Sequence, residues 1–387
     1  MRVAIIAESF LPQVNGVTHS VLRVLEHLER RGHEALVLAP DADDGVVPPF
    51  VAGAPVVEMG AVGLPGYPQV RLVVGQRARI QRTLAAFGPD VVHLASPFAL
   101  GWHGIRAADN LHLPTVAVYQ TEVPGYAARY GVRHLEPLLW RRVRNVHERA
   151  TLTLAPSSAV LASLTERGLP RLRLWGRGVD TTRFHPLRRD ARWRAAVGAG
   201  RRLLVGYVGR LAPEKQVEDL RALADLPGVR LVVVGDGPER EPLERLLPGA
   251  VFTGMLRDGN LARAMASLDV LVHPGELETF GQTLQEAHAS GVPVVAPAAG
   301  GPLDIVDHSR TGWLYPPGDL DAMRERVVDL IGDDRKRRAF GVAARRRAFG
   351  VAARRRATGR TWAAVCDELL DHYRDARLAH ARTASGV

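Results

Sequence analysis

HPGELETFGQTLQEAHASGVPVVAPAAGG, residues 273–301, is the stretch on which the fold turns. It is entered from the apolar run DVLVHPG (269–275). It then passes through a segment whose Leu284, Ala287 and Gly291 recur at helical spacing, and leaves through a second run, VPVVAP (292–297). A short run rich in β-branched residues, a helix and another such run make a βαβ unit, with parallel strands buried on both faces. The spacing starts the helix near Thr283, and Pro293 after Gly291 supplies its stop.

The same rhythm extends outward. RLLVGYVGR (202–210), RLVVVGDG (230–237) and VFTG (251–254) precede the stretch, separated by helical patterns. An earlier series comprises RVAIIA (2–7), ALVLAP (35–40), DVVHLAS (90–96), TVAVYQ (115–120) and TLTLAPS (151–157), and Val17, Val21, Leu25 and Leu28 mark a helix after its first strand. Between the two series, from Arg177-Gly178-Val179-Asp180 to about residue 202, the chain turns polar and arginine-rich. Two doubly wound, Rossmann-like α/β domains are therefore expected, 1–182 and 183–361, with ligands at the carboxyl ends of their strands. In the last segment, Trp362, Val365, Leu369 and Tyr373 fall at steps of three and four, so a packing helix over 362–387 is expected to return to the first domain.

RAFGVAARR at 338–346 recurs unchanged at 347–355. On a helix, a nine-residue step turns the pattern through about 180°, so Phe340 and Phe349 cannot face one core, and one copy is expected to pack while the other does not.

At 387 residues with 46% hydrophobic content the chain can bury two sizeable cores. The net charge of +10 admits nucleic acid, anionic lipid or a phosphorylated ligand without choosing among them. Lysine occurs only at Lys215 and Lys336, with arginine supplying the rest of the positive charge, a bias that looks like genome composition. The single cysteine, Cys366, excludes an intrachain disulfide and fits a reducing compartment. The run before Glu8 is too short for a signal segment, and no window approaches the roughly 20 apolar residues that span a bilayer. A cytoplasmic protein is expected, meeting a membrane only from the side.

Several residues sit where strand-end chemistry belongs. Glu278 lies in the loop before the helix of the opening stretch, and Glu286 lies about one turn inside it. The backbone N–H groups of Thr279, Phe280, Gly281 and Gln282 stand at its N-terminus, where an anion or sugar hydroxyls can be received. AAGGP (298–302) adds a glycine-rich loop after the next strand, and the two loops are expected to make a pocket. GYVGRLAPEKQVEDL (206–220) brings Gly209, Arg210 and Lys215 to another strand end, a fork and an ammonium suited to clamp a diphosphate. Gly235 and Asp236 close a third strand, which taken alone says little because such turns are common. In the first domain Asn15 and Gly16 precede the first helix without the G-x-G-x-x-G of a dinucleotide fold, and can offer backbone to a phosphate or sugar. Asp41-Ala42-Asp43-Asp44 reads as a solvated acidic loop, and His93, His103, His112 and His273 lack metal-ligand spacing, so no metal is expected.

AESFLPQVNGV, DVVHLASP, AVYQTEVPGYAARYG, RGVDTTRF, VGRLAPEK, VVGDG and the E-x7-E stretch occur in this order nearly end to end. With these motifs the chain resembles the retaining glycosyltransferases of family 4, and within them the actinobacterial GDP-mannose-dependent α-mannosyltransferases that act on glycolipids. The resemblance implies a GT-B fold, two Rossmann-like domains facing a central cleft. It also implies a nucleotide-sugar donor as substrate, with no separate cofactor, and a hydroxyl acceptor on a glycolipid. It assigns Arg210 and Lys215 to the donor diphosphate, Glu286 to the ribose, and Glu278 with the Phe280 and Gly281 amides to the transferred sugar. Many members carry a histidine where this chain has Gln120, and glutamine cannot act as a base, so Gln120 is left to orient sugar or acceptor.

Residues 123–150 interleave Tyr126, Tyr130 and Trp140 with arginines, which suits contact with anionic lipid at the inner face of the plasma membrane, or equally a solvated helix face. Alternatives are a UDP-sugar-dependent transferase with a small-molecule or polysaccharide acceptor, and a nucleotide-sugar 2-epimerase. No nucleic-acid module is visible, and none is expected as a partner.

Overall fold

The computed structural model describes residues 1–384 apart from 14, 43–45, 65–66, 201–202 and 351–360. It divides into two units: Met1–Pro124, His134–Arg177 and Val365–Val387 form the first, and Gly125–Arg133 with Gly178–Ala364 form the second.

The first unit's strands are β1 (Arg2–Ala7), β2 (Glu34–Pro40), β3 (Phe50–Val51), β4 (Ala54–Met59), β5 (Ala61–Leu64), β6 (Tyr67–Val73), β7 (Val91–Ala95), β8 (Thr115–Val118), β9 (Leu152–Ala155) and β10 (Leu172–Leu174). Its helical segments are α1 (Gly16–Arg30), α2 (Arg77–Phe87), α3 (Leu100–Asn110), α4 (Val123–Arg129), α5 (Glu136–His147) and α6 (Ser158–Glu166), of which α4 passes into the second unit at Gly125. The sheet order is β10-β9-β8-β7-β1-β2-β4-β3, parallel except for the β3–β4 pair, and β5 and β6 form a separate hairpin. The chain leaves β1 toward β2 and later returns to β1's other side with β7. Such a reversal opens a crevice at the carboxyl ends of β1 and β7.

The second unit holds β11 (Leu203–Val208), β12 (Val229–Val234), β13 (Val251–Gly254), β14 (Val270–Val272), β15 (Val294–Pro297) and β16 (Gly312–Tyr315), in the all-parallel order β13-β12-β11-β14-β15-β16. Its helices are α7 (Ala191–Gly198), α8 (Arg240–Leu246), α9 (Asp258–Ser267), α10 (Gln282–Ala289), α11 (Pro302–Ile305), α12 (Leu320–Gly332) and α13 (Asp334–Gly350). Alternation explains the continuous apolar runs: Val205, Tyr207, Val233, Val270 and Val272 enter one core, while Leu204, Val208, Val232, Val234 and Leu271 enter the other. Both faces are covered, so neither can be polar. Each fully buried Val or Leu contributes about 1.5–3 kcal/mol of transfer free energy. The reversal here lies between β11 and β14.

The final helix, α14 (Trp362–Ala384), buries Val365, Cys366, Leu369, Leu370, Tyr373 and Ala376 along one stripe. From Val365 onward it packs within the first unit: Trp175 Nε1 donates to the Val365 carbonyl at 2.9 Å, and the Tyr373 hydroxyl meets His93 Nδ1 at 2.7 Å. His93 is thus a buried structural residue, its pKa lowered by burial to about 3.

Of the repeated segment, Phe340 is buried beside Trp313, ring centroids 5.6 Å apart, in the second unit's core. The second copy's Phe349 lies outside the residues whose side chains are described.

Candidate functional site

The reversal in the second unit gathers the expected donor residues. β11 ends at Val208 and is followed by Gly209, Arg210 and the Lys215 loop, while the neighbouring β14 is followed by His273 and the Glu278 turn. Sixty residues apart in sequence, Gln216 and Glu276 tie the two loops, the Glu276 N–H donating to Gln216 Oε1 at 3.0 Å. A Cβ on Gly275 would stand 3.2 Å from the Lys215 carbonyl, so the loops touch backbone to backbone.

Lys215 Nζ donates to Glu278 Oε2 at 2.8 Å, and the side chains retain 20% and 16% of their exposure. Glu278 Oε1 accepts from the N–H of Gly281 at 2.9 Å and of Phe280 at 3.3 Å. Burial pushes the Glu278 carboxyl upward, but Lys215, His273 and the Gly281 amide outweigh it and hold the group well below the usual carboxylate range. For Lys215 burial alone works downward, yet Glu278, with Tyr126 and Tyr207, carries the ammonium above its ordinary value. The pair is therefore a fixed opposite charge at neutral pH. Arg210 is exposed, and among the described residues its guanidinium forms no hydrogen bond or ion pair.

Several expectations are corrected. The Phe280 and Gly281 amides do not stand open at the helix start, because the preceding Glu278 carboxylate caps them. Phe280 sends its ring into the core, and Gly281 takes a left-handed backbone at φ 93°. The loop at Gly300 and Gly301 packs onto this turn. The Gly301 N–H donates to the Glu278 carbonyl at 2.7 Å, and a Cβ on Gly301 would lie 2.0 Å from the Phe280 carbonyl oxygen. Gly235 serves close approach as well: a Cβ there would meet the Gly209 carbonyl oxygen at 1.8 Å. Asp236 is engaged locally, accepting from the Gly237 N–H at 2.9 Å and from Arg240 at 3.0 Å. Glu286 is buried inside α10 and accepts from Gln282 at 3.1 Å. Thr279 is buried in the same turn.

The first unit has its own polar centre. Gln120, buried just past β8, accepts from Arg177 at 2.6 Å through Oε1. Arg177 is itself buried, and a Cβ on Gly16 would come within 2.8 Å of its guanidinium. Gly16 thus makes room for an arginine. Asn15 caps α1, its Oδ1 accepting from the N–H groups of Val17 and Thr18 at 2.9 and 3.0 Å. At the crevice between β1 and β7, Glu8 accepts four amides, those of Phe98, Ala99, Leu100 and Gly101, at 2.8–3.0 Å. The start of α3 is an anion site already filled by the protein's own carboxylate. Burial raises the Glu8 carboxyl against the four amides that lower it.

Glu8 and Arg177 were missed in the sequence. Glu8 is the first charged residue beyond the buried strand β1, the one signal that points to it, whereas Arg177 follows the half-exposed β10, which already carries Arg173, and nothing in the sequence sets it apart. Asp41, read as solvated, is paired with Arg71 and accepts from the Ala61 N–H, while Asp43 and Asp44 lie outside the described residues. Trp140, one of the aromatics expected to meet lipid or equally to belong to a solvated helix face, stacks on Tyr119 beneath Arg167 against a small buried cluster, and the Tyr130 hydroxyl donates to Glu214 at 2.6 Å. Among the described residues no group of three His, Cys, Asp or Glu side chains is arranged to hold a metal, and no helix is long and apolar enough to cross a membrane.

The model of Glycosyltransferase Family 4 matches residues 14–183, and that of Glycosyl transferases group 1 matches residues 190–347. A GDP-mannose-dependent alpha-mannosyltransferase of Mycolicibacterium smegmatis is 50% identical over 96% of this chain and 97% of its own. The protein of that description from Mycobacterium tuberculosis is 48% identical over 97% of each chain. Among solved structures, a sucrose-phosphate synthase from Thermosynechococcus elongatus shares the fold with a TM-score of 0.81 at 22% identity, covering 98% of this chain and 99% of that one.

Proposed function

The chain belongs to glycosyltransferase family 4 and is a glycosyltransferase of the GT-B fold, and on that premise we propose that it is a retaining enzyme moving mannose from GDP-mannose to a hydroxyl of a glycolipid. The observation that carries the donor is the half identity, over nearly the whole chain, to an enzyme named for that donor and reaction.

The chemistry follows from the charges. The acceptor hydroxyl attacks C1 of the sugar on the face from which the diphosphate departs. One C1–O bond forms as the other breaks, and the hydroxyl proton passes to the departing phosphate oxygen, leaving GDP. No protein nucleophile is needed, and the reading requires neither metal nor organic cofactor. The exposed Arg210 and the ammonium of Lys215 would stabilise charge growing on the diphosphate. Glu278, ionised and fixed by amides, would accept hydrogen bonds from sugar hydroxyls, and Glu286 would hold the ribose. Gln120, anchored by Arg177, would orient the acceptor or sugar rather than remove a proton.

A lipid acceptor is supported by exposed Leu135 and Leu138 beside exposed Arg141 on and before α5, a face suited to rest on anionic headgroups.

The test is a panel of nucleotide sugars, GDP-mannose beside UDP-glucose, UDP-galactose and UDP-N-acetylglucosamine, read by thermal shift and by nucleotide release. Stabilisation and turnover with GDP-mannose alone is the expected result. A response to a UDP-sugar instead would retain the transferase and overturn the donor, and conversion of the sugar without transfer would indicate epimerisation.

A further inference from the structure

We propose that His273 is a positioning residue for the donor sugar, taking hold of Glu278 Oε2 when the diphosphate draws Lys215 away. This rests on the reading above, in which Lys215 meets the diphosphate and Glu278 the sugar.

His273 follows β14 directly and is only 3% exposed. Among the described residues neither of its ring nitrogens has a hydrogen-bond partner. A buried polar group left in that condition is uncommon in a folded protein and calls for a cause. Its Nε2 stands 3.6 Å from Glu278 Oε2, just outside bonding distance of the oxygen that Lys215 holds at 2.8 Å. The ring is stacked on Tyr207, centroids 6.3 Å apart and planes 14° apart, and the Tyr207 hydroxyl is tied to the Arg210 carbonyl at 2.8 Å. The imidazole plane is thereby fixed, with one edge aimed at the carboxylate.

Glu278 is asymmetrically held. Oε1 has two amide donors, which stay whatever binds, whereas Oε2 has one donor in Lys215 and a second waiting beside it. A diphosphate that recruits the ammonium leaves Oε2 short of a partner in a buried turn. A shift of under about 1 Å brings the His273 N–H into hydrogen-bond range. Burial lowers the imidazole pKa to about 4, so at neutral pH it is an uncharged donor and does not replace the lysine's charge. The carboxylate keeps its negative charge for the sugar hydroxyls while its direction is maintained.

The experiment compares His273→Phe, which keeps a ring without an N–H, with His273→Gln, whose amide nitrogen reaches about as far as Nε2. For each, GDP affinity is measured by calorimetry and GDP-mannose turnover by release of GDP, with Lys215→Met alongside. His273→Phe should bind GDP as the wild type does and lose roughly 10- to 100-fold in turnover, by analogy with the loss of an outer-shell partner behind a metal ligand, while His273→Gln recovers most of it. Wild-type turnover in His273→Phe, or equal losses of GDP affinity and turnover, would overturn the proposal. If His273→Phe does not fold, His273→Asn replaces it, its amide being too short to reach, and the expected loss is the same. Unchanged GDP affinity in Lys215→Met would instead refute the diphosphate assignment, independently of the histidine variants. Should the wild type turn over another sugar nucleotide of the panel, that donor and its nucleoside diphosphate serve in the same comparison.

Discussion

Replacing Lys215 by methionine tests the electrostatics of the second unit most directly. The substitution keeps the stem's apolar contacts and removes the charge that pairs with Glu278 at 2.8 Å. Breaking a buried ion pair by deleting one partner costs about 3–5 kcal/mol, because the remaining charge is left in a poorly solvated place. Here the side chains keep 20% and 16% exposure, and the Phe280 and Gly281 amides stay on Oε1, so the lower end, about 3 kcal/mol, is expected. At about 2–4 °C per kcal/mol for a domain of this size, the midpoint of thermal unfolding should fall by roughly 6–12 °C at pH 7.

The pH dependence has a definite sign. In the wild type the Glu278 pKa is depressed from its ordinary 4.5, so its stabilisation is complete above that pH and is lost as pH falls below it. In the variant, burial acts with no ammonium against it and the carboxyl moves upward. Its penalty is then greatest at neutral pH and shrinks on acidification, so the gap between variant and wild type should narrow from pH 7 toward pH 4.5. Lys215→Met/Glu278→Gln should recover most of the lost stability, though not activity. A single variant melting within 2 °C of wild type at pH 7, or strict additivity in the double-mutant cycle, would refute this account.

Arg177→Met should release Gln120 and lower turnover by about 10²-fold, the cost of losing orientation at a reacting centre, while GDP affinity measured by calorimetry stays unchanged. Gly235→Ala must place its Cβ against the Gly209 carbonyl oxygen at a φ of 141°, and a loss of about 2–5 kcal/mol is expected in urea unfolding. Phe340→Ala removes a ring packed beside Trp313 and should cost about 3–5 kcal/mol by the same assay, more than any substitution confined to exposed Val342.

The sheets were legible because their strands are covered on both faces, so every residue of runs such as LLVGYV and VRLVVV had to be apolar whichever way it pointed. The residue types of the site were legible for a related reason, since charges at the ends of such runs have no core to enter. Their partners were not. Lys215 and Glu278 are 63 positions apart, and only the adjacency of β11 and β14 brings them together. Glycines carry a use that the sequence does not display: at Gly235, Gly300 and Gly301 the missing Cβ makes room for contact between the protein's own loops. Arg177 was hidden by the arginine-rich composition, and only its burial distinguishes it from the many solvated arginines. His273 has no metal-ligand spacing, and its position one residue beyond a buried strand is the clue the sequence does hold.

The pairing of Lys215 with Glu278 also bears on why a site for a charged donor does not unfold its own unit when empty. A bare ammonium and a bare carboxylate in this half-sheltered turn would each carry a desolvation penalty, and paired they offset one another. A nucleotide sugar supplies a replacement for each: phosphate oxygens for the ammonium and hydroxyls for the carboxylate. Binding then exchanges one set of neutralised charges for another, and the donor must bring both ends to do it. On this reasoning GDP alone satisfies Lys215 but leaves Glu278 leaning on its amides and His273. The sugar should therefore add more to affinity in Glu278-containing protein than its few hydroxyl contacts suggest, and Glu278→Gln should bring GDP and GDP-mannose affinities closer together. Equal discrimination between GDP and GDP-mannose in wild type and Glu278→Gln would show that the carboxylate does not meet the sugar.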